Sequence, residues 1–237
     1  MRGIRPAVLL SIAACAVAGA SLAPSASAEP VFLTKAVVAE GSSIPFTGTL
    51  GFSALEAKEG GRFSCLDKSG TKLEGDVVGP KTVKNVVITF TECGTSEFFE
   101  CGSNEKARII VTHALEGELG PISHTLPGIR LWAEGDKGGL VMEFTCASGA
   151  IIWKVIGTIT GSLSGAAGED AETGKLVSSM ALTFAQKAGV QKYQGFEGGE
   201  LGELETSVGG KPFEKSGESV IAKLQTVPSS WGLGVTK

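Results

Sequence analysis

Five cysteines are the residues of this 237-residue chain with the most definite chemistry. Cys15 lies in an apolar N-terminal segment, whereas Cys65, Cys93, Cys101 and Cys146 lie in the body of the chain. Thiols oxidise in pairs outside the cytoplasm, so an even set of four in an exported chain predicts two disulfides. Four cysteines allow three connectivities.

Spacing and strand phase favour one of these connectivities. Cys93 and Cys101 enclose only residues 94–100, a short segment of turn and polar residues, so we expect them to pair across a hairpin. Cys65 and Cys146 then remain for each other. Both are in phase with the apolar residues of their predicted strands, which predicts a bridge buried between sheets.

The two histidines are the next candidates for chemistry. His113 falls in phase with the apolar residues of a predicted strand, and His124 lies in a predicted loop between two prolines. We interpret both as structural, because a histidine on an apolar face is more often a core residue than a base. The sequence also lacks Gly-x-Ser-x-Gly, P-loop, dinucleotide-binding and His-Glu-x-x-His motifs, so we assign no catalytic residue, no metal ligand and no cofactor.

A pair of carboxylates across a groove is the one enzymatic arrangement that the sequence leaves open. Glycosidases need little more than two such groups, and Glu143 points away from the apolar face of its predicted strand. The sequence does not identify a partner for it. Sugar clefts are usually lined by aromatic platforms, and this chain has one tyrosine and three tryptophans, so the hydrolase stays an alternative.

Three aromatic residues are candidate contacts with a partner. Phe98 and Phe99 lie inside the predicted disulfide hairpin, where they either cap the core or form an exposed contact tip. Trp132 shares a strand face with Arg130 and Glu134. It is therefore either an exposed contact residue between charges or packed against a second layer.

Short β-rich segments punctuated by many of the 34 glycines must position these residues. Apolar and polar residues alternate in several of them, as is typical of half-buried antiparallel strands. We predict an all-β fold, an antiparallel sandwich or barrel of about ten strands stapled by two disulfides. The predicted strands are 43–50, 62–67, 72–78, 84–91, 107–115, 129–134, 139–146, 151–160, 177–186 and 219–226.

Three segments interrupt this strand rhythm. Residues 161–174 form the longest small and polar connection and are a candidate flexible tip. Residues 195–210 are glycine-rich, and we expect an irregular excursion there. Residues 176–187 also fit a short helix.

Residues 1–28 have the pattern of a secretory signal peptide. Two arginines precede an apolar run over residues 7–20, and residues 26–28, Ala-Ser-Ala, form a small-residue cleavage site. We therefore expect residues 29–237 to be a secreted, single all-β domain. In the alternative, a small-residue pattern directs lipid attachment to Cys15 and anchors the chain.

The charge of the mature chain restricts its partners. The signal segment contains two of the 21 basic residues and none of the 25 acidic ones, which leaves 19 basic and 25 acidic residues and a formal charge of −6. This acidic excess argues against nucleic acid as a partner. No transmembrane segment is expected after removal of the signal, so we expect an extracellular protein or an envelope polymer as the partner.

Several short motifs resemble those of a known group of proteins. They are Phe90-x-x-Cys93, Cys101-Gly102-Ser103, residues 115–120, Phe144-x-Cys146 and Gly157. In cysteine layout and strand rhythm the chain resembles uncharacterised exported, β-rich, four-cysteine proteins of actinobacteria. The resemblance implies export and a β-rich fold, and it carries no known activity to transfer.

Together these observations favour a secreted or cell-envelope binding or structural module without catalytic activity. The alternative is a secreted, carboxylate-dependent, glycosidase-like hydrolase of an extracellular polymer. A concave groove lined by opposed carboxylates and aromatic residues would favour the hydrolase.

Overall fold

The computed structural model describes residues 29–34, 36–68, 70–95, 99–103, 108–165, 178–227 and 234–235. These ranges contain antiparallel strands and no helix, so the predicted all-β antiparallel class is confirmed. In chain order the strands are β1 (Phe32–Leu33), β2 (Ile44–Leu50), β3 (Ser53–Ala57), β4 (Gly61–Cys65), β5 (Lys72–Val77), β6 (Thr82–Thr91), β7 (Cys93–Thr95), β8 (Cys101–Gly102), β9 (Ile109–Val111), β10 (Leu115–Ser123), β11 (Leu126–Ala133), β12 (Leu140–Cys146), β13 (Ile151–Gly165), β14 (Met180–Phe184), β15 (Gln186–Lys187), β16 (Val190–Gln191), β17 (Leu204–Val208), β18 (Glu214–Thr226) and β19 (Gly234–Val235).

The large sheet of the described residues closes on itself twice. The first barrel runs through β18, β2, β5, β6, β10, β11, β13 and β14, and β14 pairs back onto β18. The second barrel runs through β18, β3, β4, β7, β8, β12, β13 and β17, and β17 pairs back onto β18. In the second barrel, β7 meets β8 through a bridge between Gly94 and Glu100. Of the two predicted architectures, the barrel is therefore the one that forms.

The two barrels share β13 and β18, which are long enough to pass from one barrel into the other. In β13, Trp153 to Gly157 pair with β17 of the second barrel, and Trp132 of β11 in the first barrel pairs with Thr158. Gly157 lies at this change of partner with a φ of 95°, and a Cβ there would overlap the Glu203 carbonyl oxygen. Only glycine tolerates both this positive φ and the close approach of the carbonyl oxygen, because it has no Cβ.

Aromatic rings fill the second barrel. Phe63, Phe144 and Trp153 are almost completely buried, with ring centroids 4.6 to 5.6 Å apart. Burying one large apolar side chain contributes about 1.5 to 3 kcal/mol, so this cluster supplies much of the cohesion of the second barrel. The first barrel is filled mainly by aliphatic side chains, among them Leu73, Leu131, Leu163, Leu182 and Leu224.

All four predicted cysteines form disulfides, but the predicted pairing is wrong. The bonds are Cys65–Cys93, between β4 and β7, and Cys101–Cys146, between β8 and β12. The four cysteines lie on four adjacent strands in the order β4, β7, β8 and β12. Pairing the inner two would leave the outer two three strand spacings apart, about 14 Å, which is beyond the reach of a disulfide.

The ten predicted strands all coincide with observed strands, although their bounds differ. Residues 107–115 divide between β9 and β10, because the chain leaves the sheet after Val111. The alternative helix over 176–187 is wrong, since β14 and β15 occupy its described part. Within the glycine-rich excursion, β17 is a regular strand. Residues 161–165 of the predicted tip belong to β13, and residues 166–174 lie outside the described residues, as do residues 1–28 with Cys15.

Candidate functional site

Phe99 lies at an open end of the second barrel. At this end β3, β7 and β17 finish, and β4 and β13 begin. A concave pocket of about 640 Å³ opens there, which we call the mouth pocket. Its lining includes Lys58, Arg62, Phe99, Ile151, Trp153 and Val208. Mouths of barrels are a common place for binding sites.

Phe99 is held in place by the strands on both sides of it. Its carbonyl oxygen accepts a hydrogen bond of 2.9 Å from the Thr95 backbone amide, and Cys101, two residues later, is fixed by its disulfide to Cys146. The ring remains 40% exposed. Phe99 is therefore an exposed residue of the pocket lining rather than a buried cap of the core. Phe98, the other candidate, lies outside the described residues.

Trp153 closes the floor of the mouth pocket. Its ring stacks on Phe144 and meets Phe63 edge to face, and the residue is only 3% exposed. The indole Nε1 is buried and has no hydrogen-bond partner among the described residues. A buried indole N–H without an acceptor is unfavourable.

Two cations stand at the rim of the mouth pocket. Lys58 and Arg62 are exposed, and neither forms an ion pair with any described residue. Glu56, which lines the same pocket, instead accepts a hydrogen bond of 2.6 Å from Gln186 Nε2. The described lining therefore contains two cations and one carboxylate, a small excess of positive charge on a chain whose net charge is negative.

Trp132 is not a surface contact. It is 8% exposed, and its indole Nε1 donates a hydrogen bond of 2.9 Å to Glu116 Oε1. The Arg130 guanidinium and the Lys137 ammonium lie over the ring, at 6.0 and 4.7 Å from its centroid. Of the two interpretations of Trp132, the exposed contact is wrong, because long charged side chains cover the ring.

The buried Arg130 attaches the glycine-rich excursion of residues 195–210 to the first barrel through Phe196 and Glu200. It forms an ion pair with Glu118, and its Nη1 donates a hydrogen bond of 2.8 Å to the Glu200 carbonyl. The guanidinium also lies 5.3 Å from the centre of the Phe196 ring. This role could not be predicted from the sequence, since nothing in a strand's alternation indicates which outward side chain a later loop will cover.

A second groove contains the candidate carboxylate Glu143. This polar groove of about 820 Å³ is also lined by Glu100, Ser103 and His113. Glu143 Oε2 lies 3.1 Å from Lys154 Nζ, and Glu100 Oε1 lies 3.5 Å from Arg108 Nη1, so each carboxylate is paired with a cation. The aromatic residue of the lining, Phe144, is buried and presents no platform.

Neither histidine is a core residue. His113 is exposed because β9 ends at Val111 and the chain runs outside the sheet to Leu115, so the strand phase used to place it inside is wrong. Its backbone amide donates a hydrogen bond of 2.9 Å to the Val141 carbonyl. His124 is exposed in the turn between β10 and β11.

An acidic residue that sequence reasoning missed lies in the core where the two barrels meet. Glu218 lines a small internal cavity of about 30 Å³ together with apolar residues of both barrels, such as Leu55 and Ile159. Its Oε1 has no hydrogen-bond partner among the described residues. Burial raises the pKa of Glu218 from its ordinary 4.5 to about 8, and a hydrogen bond with the Ala54 backbone lowers it only in part.

The strand pattern contained a sign of this residue. Glu218 precedes Val220, Ala222 and Leu224 at intervals of two, so it lies on the same inward face of β18. The predicted strand began one residue later, at 219, and left Glu218 out. A strand extended by a single residue would have placed the carboxyl in the core.

The described residues contain no group of three or more histidine, cysteine, aspartate or glutamate side chains arranged to bind a metal ion. In the same part of the chain, no helix has the length and apolar character needed to span a membrane. Comparison with known proteins finds no match to a family model, to a curated protein or to a solved structure.

Proposed function

We propose that this chain is an exported binding module that contacts an extracellular or cell-envelope partner through the mouth pocket. The observation that carries the proposal is the combination found at the mouth: an anchored, 40% exposed Phe99, a buried indole donor without an acceptor, and two unpaired cations. Exposed aromatic and arginine side chains around a concavity are typical of binding hot spots.

Two features support the export part of the proposal. The first is the signal-peptide pattern of residues 1–28. The second is that all four cysteines of the mature chain are oxidised, which is usual outside the cytoplasm and rare within it. The intact mass of the mature protein tests this part: a chain beginning at Glu29 agrees with free secretion, and one beginning at a lipid-modified Cys15 agrees with anchoring.

The chemistry of the mouth pocket supports binding rather than catalysis. The acidic residue in its described lining, Glu56, is engaged by Gln186, and the remaining lining consists of apolar side chains, cations, the Thr95 hydroxyl and backbone. Acid–base or nucleophilic catalysis requires a second titratable group within hydrogen-bond reach of the first. The pocket instead offers donors and apolar surface, which are sufficient for recognition.

The polar groove supports the hydrolase as a second candidate. It brings Glu143 together with Glu100 and His113, which supplies the carboxylate partner that the sequence did not identify. Both carboxylates are engaged by cations, and no exposed aromatic platform lines the described groove, so the support is weaker than for binding. Release of reducing ends from a panel of bacterial polysaccharides, lost in both E100Q and E143Q, would establish this candidate.

Co-sedimentation with envelope material of the source organism tests the binding proposal. We expect the mature protein to be retained and the Phe99→Ser variant to be released, because the exposed ring is lost without disturbing the core. Phe52→Ser is a matched control, since Phe52 is also about half exposed and lies at the opposite end of β3. Equal retention of the wild type and the Phe99 variant, or no retention of the wild type, would contradict the proposal.

A further inference from the structure

We propose that the occupant of the mouth pocket is an acidic peptide segment that carries apolar side chains. The inference rests on the proposed binding function and names the class of partner. Three properties of the pocket support this inference: its charge, the shape of its apolar floor and a side of β4 that no described strand covers.

The charge of the rim favours an anionic partner. Lys58 and Arg62 have no acidic partner among the described residues, whereas Glu56 is held by Gln186. Cations elsewhere on the described surface are frequently paired, as Lys72 is with Glu74 and Lys154 with Glu143. Two unpaired cations beside one engaged carboxylate leave a net attraction for a carboxylate of the partner.

The floor of the pocket favours a peptide over a polysaccharide. Sugars bind on exposed aromatic faces, but the Trp153 ring is 3% exposed and packed against Phe63 and Phe144, which leaves the Phe99 ring as the one exposed aromatic face in the described lining. Ile151, Val208 and the Phe99 ring offer instead a small apolar concavity. Such a surface fits a branched or aromatic side chain of a peptide.

Part of one side of β4 is covered by no described strand, which gives a peptide backbone a place to bind. Strand β4 pairs with β3 along its whole length, but β7 covers only Phe63 to Cys65 on the other side. Beside Gly61 and Arg62, no described strand occupies that side, and both residues line the pocket. An extended peptide can add to such an edge by main-chain hydrogen bonds, with alternate side chains directed toward the floor and toward the rim.

A fluorescein-labelled hexapeptide in which glutamate and phenylalanine alternate is a direct probe. Fluorescence anisotropy should show saturable binding to the oxidised mature protein that weakens as salt is raised. The K58Q/R62Q double variant should bind about fivefold more weakly, since it removes two exposed ion pairs of modest strength. The K223Q variant is the matched control, because Lys223 is exposed on β18 away from the mouth and should leave affinity unchanged.

Two competitors decide the class of partner. The same peptide with lysine in place of glutamate should not compete, and an oligogalacturonate should compete poorly. Equal binding of the lysine peptide, equal binding of the oligogalacturonate, or equal affinities of the double variant and the wild type would each overturn the inference. Melting curves of all variants show whether a lost signal is only lost folding, in which case R62Q alone replaces the double variant.

The envelope experiment separates this inference from the proposed function. If Phe99→Ser abolishes envelope retention while the acidic peptide does not bind, the binding function stands and the peptide class is wrong. If the wild type is not retained and the peptide does not bind, both are wrong.

Discussion

Cys65 faces Cys93 across β4 and β7, with their Cα atoms 4.0 Å apart, and the segment carrying Phe99 begins directly after this pair of strands. On the other side of Phe99, Cys101 is bonded to Cys146 of β12. The two disulfides therefore fix both ends of the short connection that closes the second barrel. This arrangement presents Phe99 at the mouth pocket at little cost in conformational entropy when a partner binds.

The connectivity of the disulfides is directly measurable. Digestion of the non-reduced protein with trypsin and a glutamate-specific protease cuts between all four cysteines, at Lys68, Glu97 and Lys137 among other sites. Mass spectrometry should identify one peptide pair containing Cys65 with Cys93 and another containing Cys101 with Cys146. A pair joining Cys93 to Cys101 would contradict the strand order of the second barrel.

Gly157 should be among the least replaceable glycines. Gly157→Ala combines a φ of 95° with overlap of the Glu203 carbonyl, so we expect it to lower the free energy of unfolding by about 3 kcal/mol or more. Gly149→Ala is the control, because Gly149 has a similar φ of 91° and no atom within 4 Å of an added Cβ. Gly149→Ala should lower the free energy of unfolding by about 1 kcal/mol. Similar costs in urea unfolding would show that β13 does not pass tightly beneath residue 203.

Glu218 should make stability fall as pH rises. Its pKa is raised from 4.5 to about 8, so the native state binds the proton more tightly than the unfolded state. The stabilisation that comes from protonated Glu218 is fully present below about pH 4.5. It declines between pH 4.5 and 8 by up to about 1.4 kcal/mol per pH unit, and it is lost above pH 8. Within the described residues, Glu218 is the one ionisable group lining the cavity.

The Glu218→Gln variant isolates this effect, because its side chain has the shape of the protonated carboxyl but cannot ionise. Its urea midpoint should change less between pH 5 and 8.5 than that of the wild type, with the difference largest at the alkaline end. Glu134→Gln, at an exposed position, should retain the slope of the wild type. Parallel slopes for all three proteins would mean that Glu218 is not buried as the structure has it.

The sequence predicted the class of the fold and most strands, because alternation with a period of two is a local signal. Closure into two barrels is not local: it depends on β13 and β18 changing partners, and only Gly157 marks the place. Strand β3 was missed because its Ala-Leu-Glu-Ala sequence has high helix propensity, which tertiary pairing overrides.

Site prediction was limited where distant segments meet. For Phe99 the sequence left both a core cap and an exposed contact tip open, because the burial of its ring depends on strands that are distant in the chain. Trp153 and Arg62 line the same pocket but lie about ninety positions apart in the sequence, so they come together only in the folded chain. The disulfide pairing failed for the same reason, since it depends on the order of four strands.

Binding at the mouth pocket is tested most directly by NMR chemical-shift mapping with the acidic hexapeptide. We expect the largest shifts for the backbone amides of Arg62 and Phe99 and for the Trp153 indole N–H. The W153F variant assigns this indole resonance, because its spectrum lacks it. Resonances of the polar groove, around His113 and Glu143, should stay in place. Shifts confined to the polar groove, or scattered over the surface without saturation, would contradict binding at the mouth pocket.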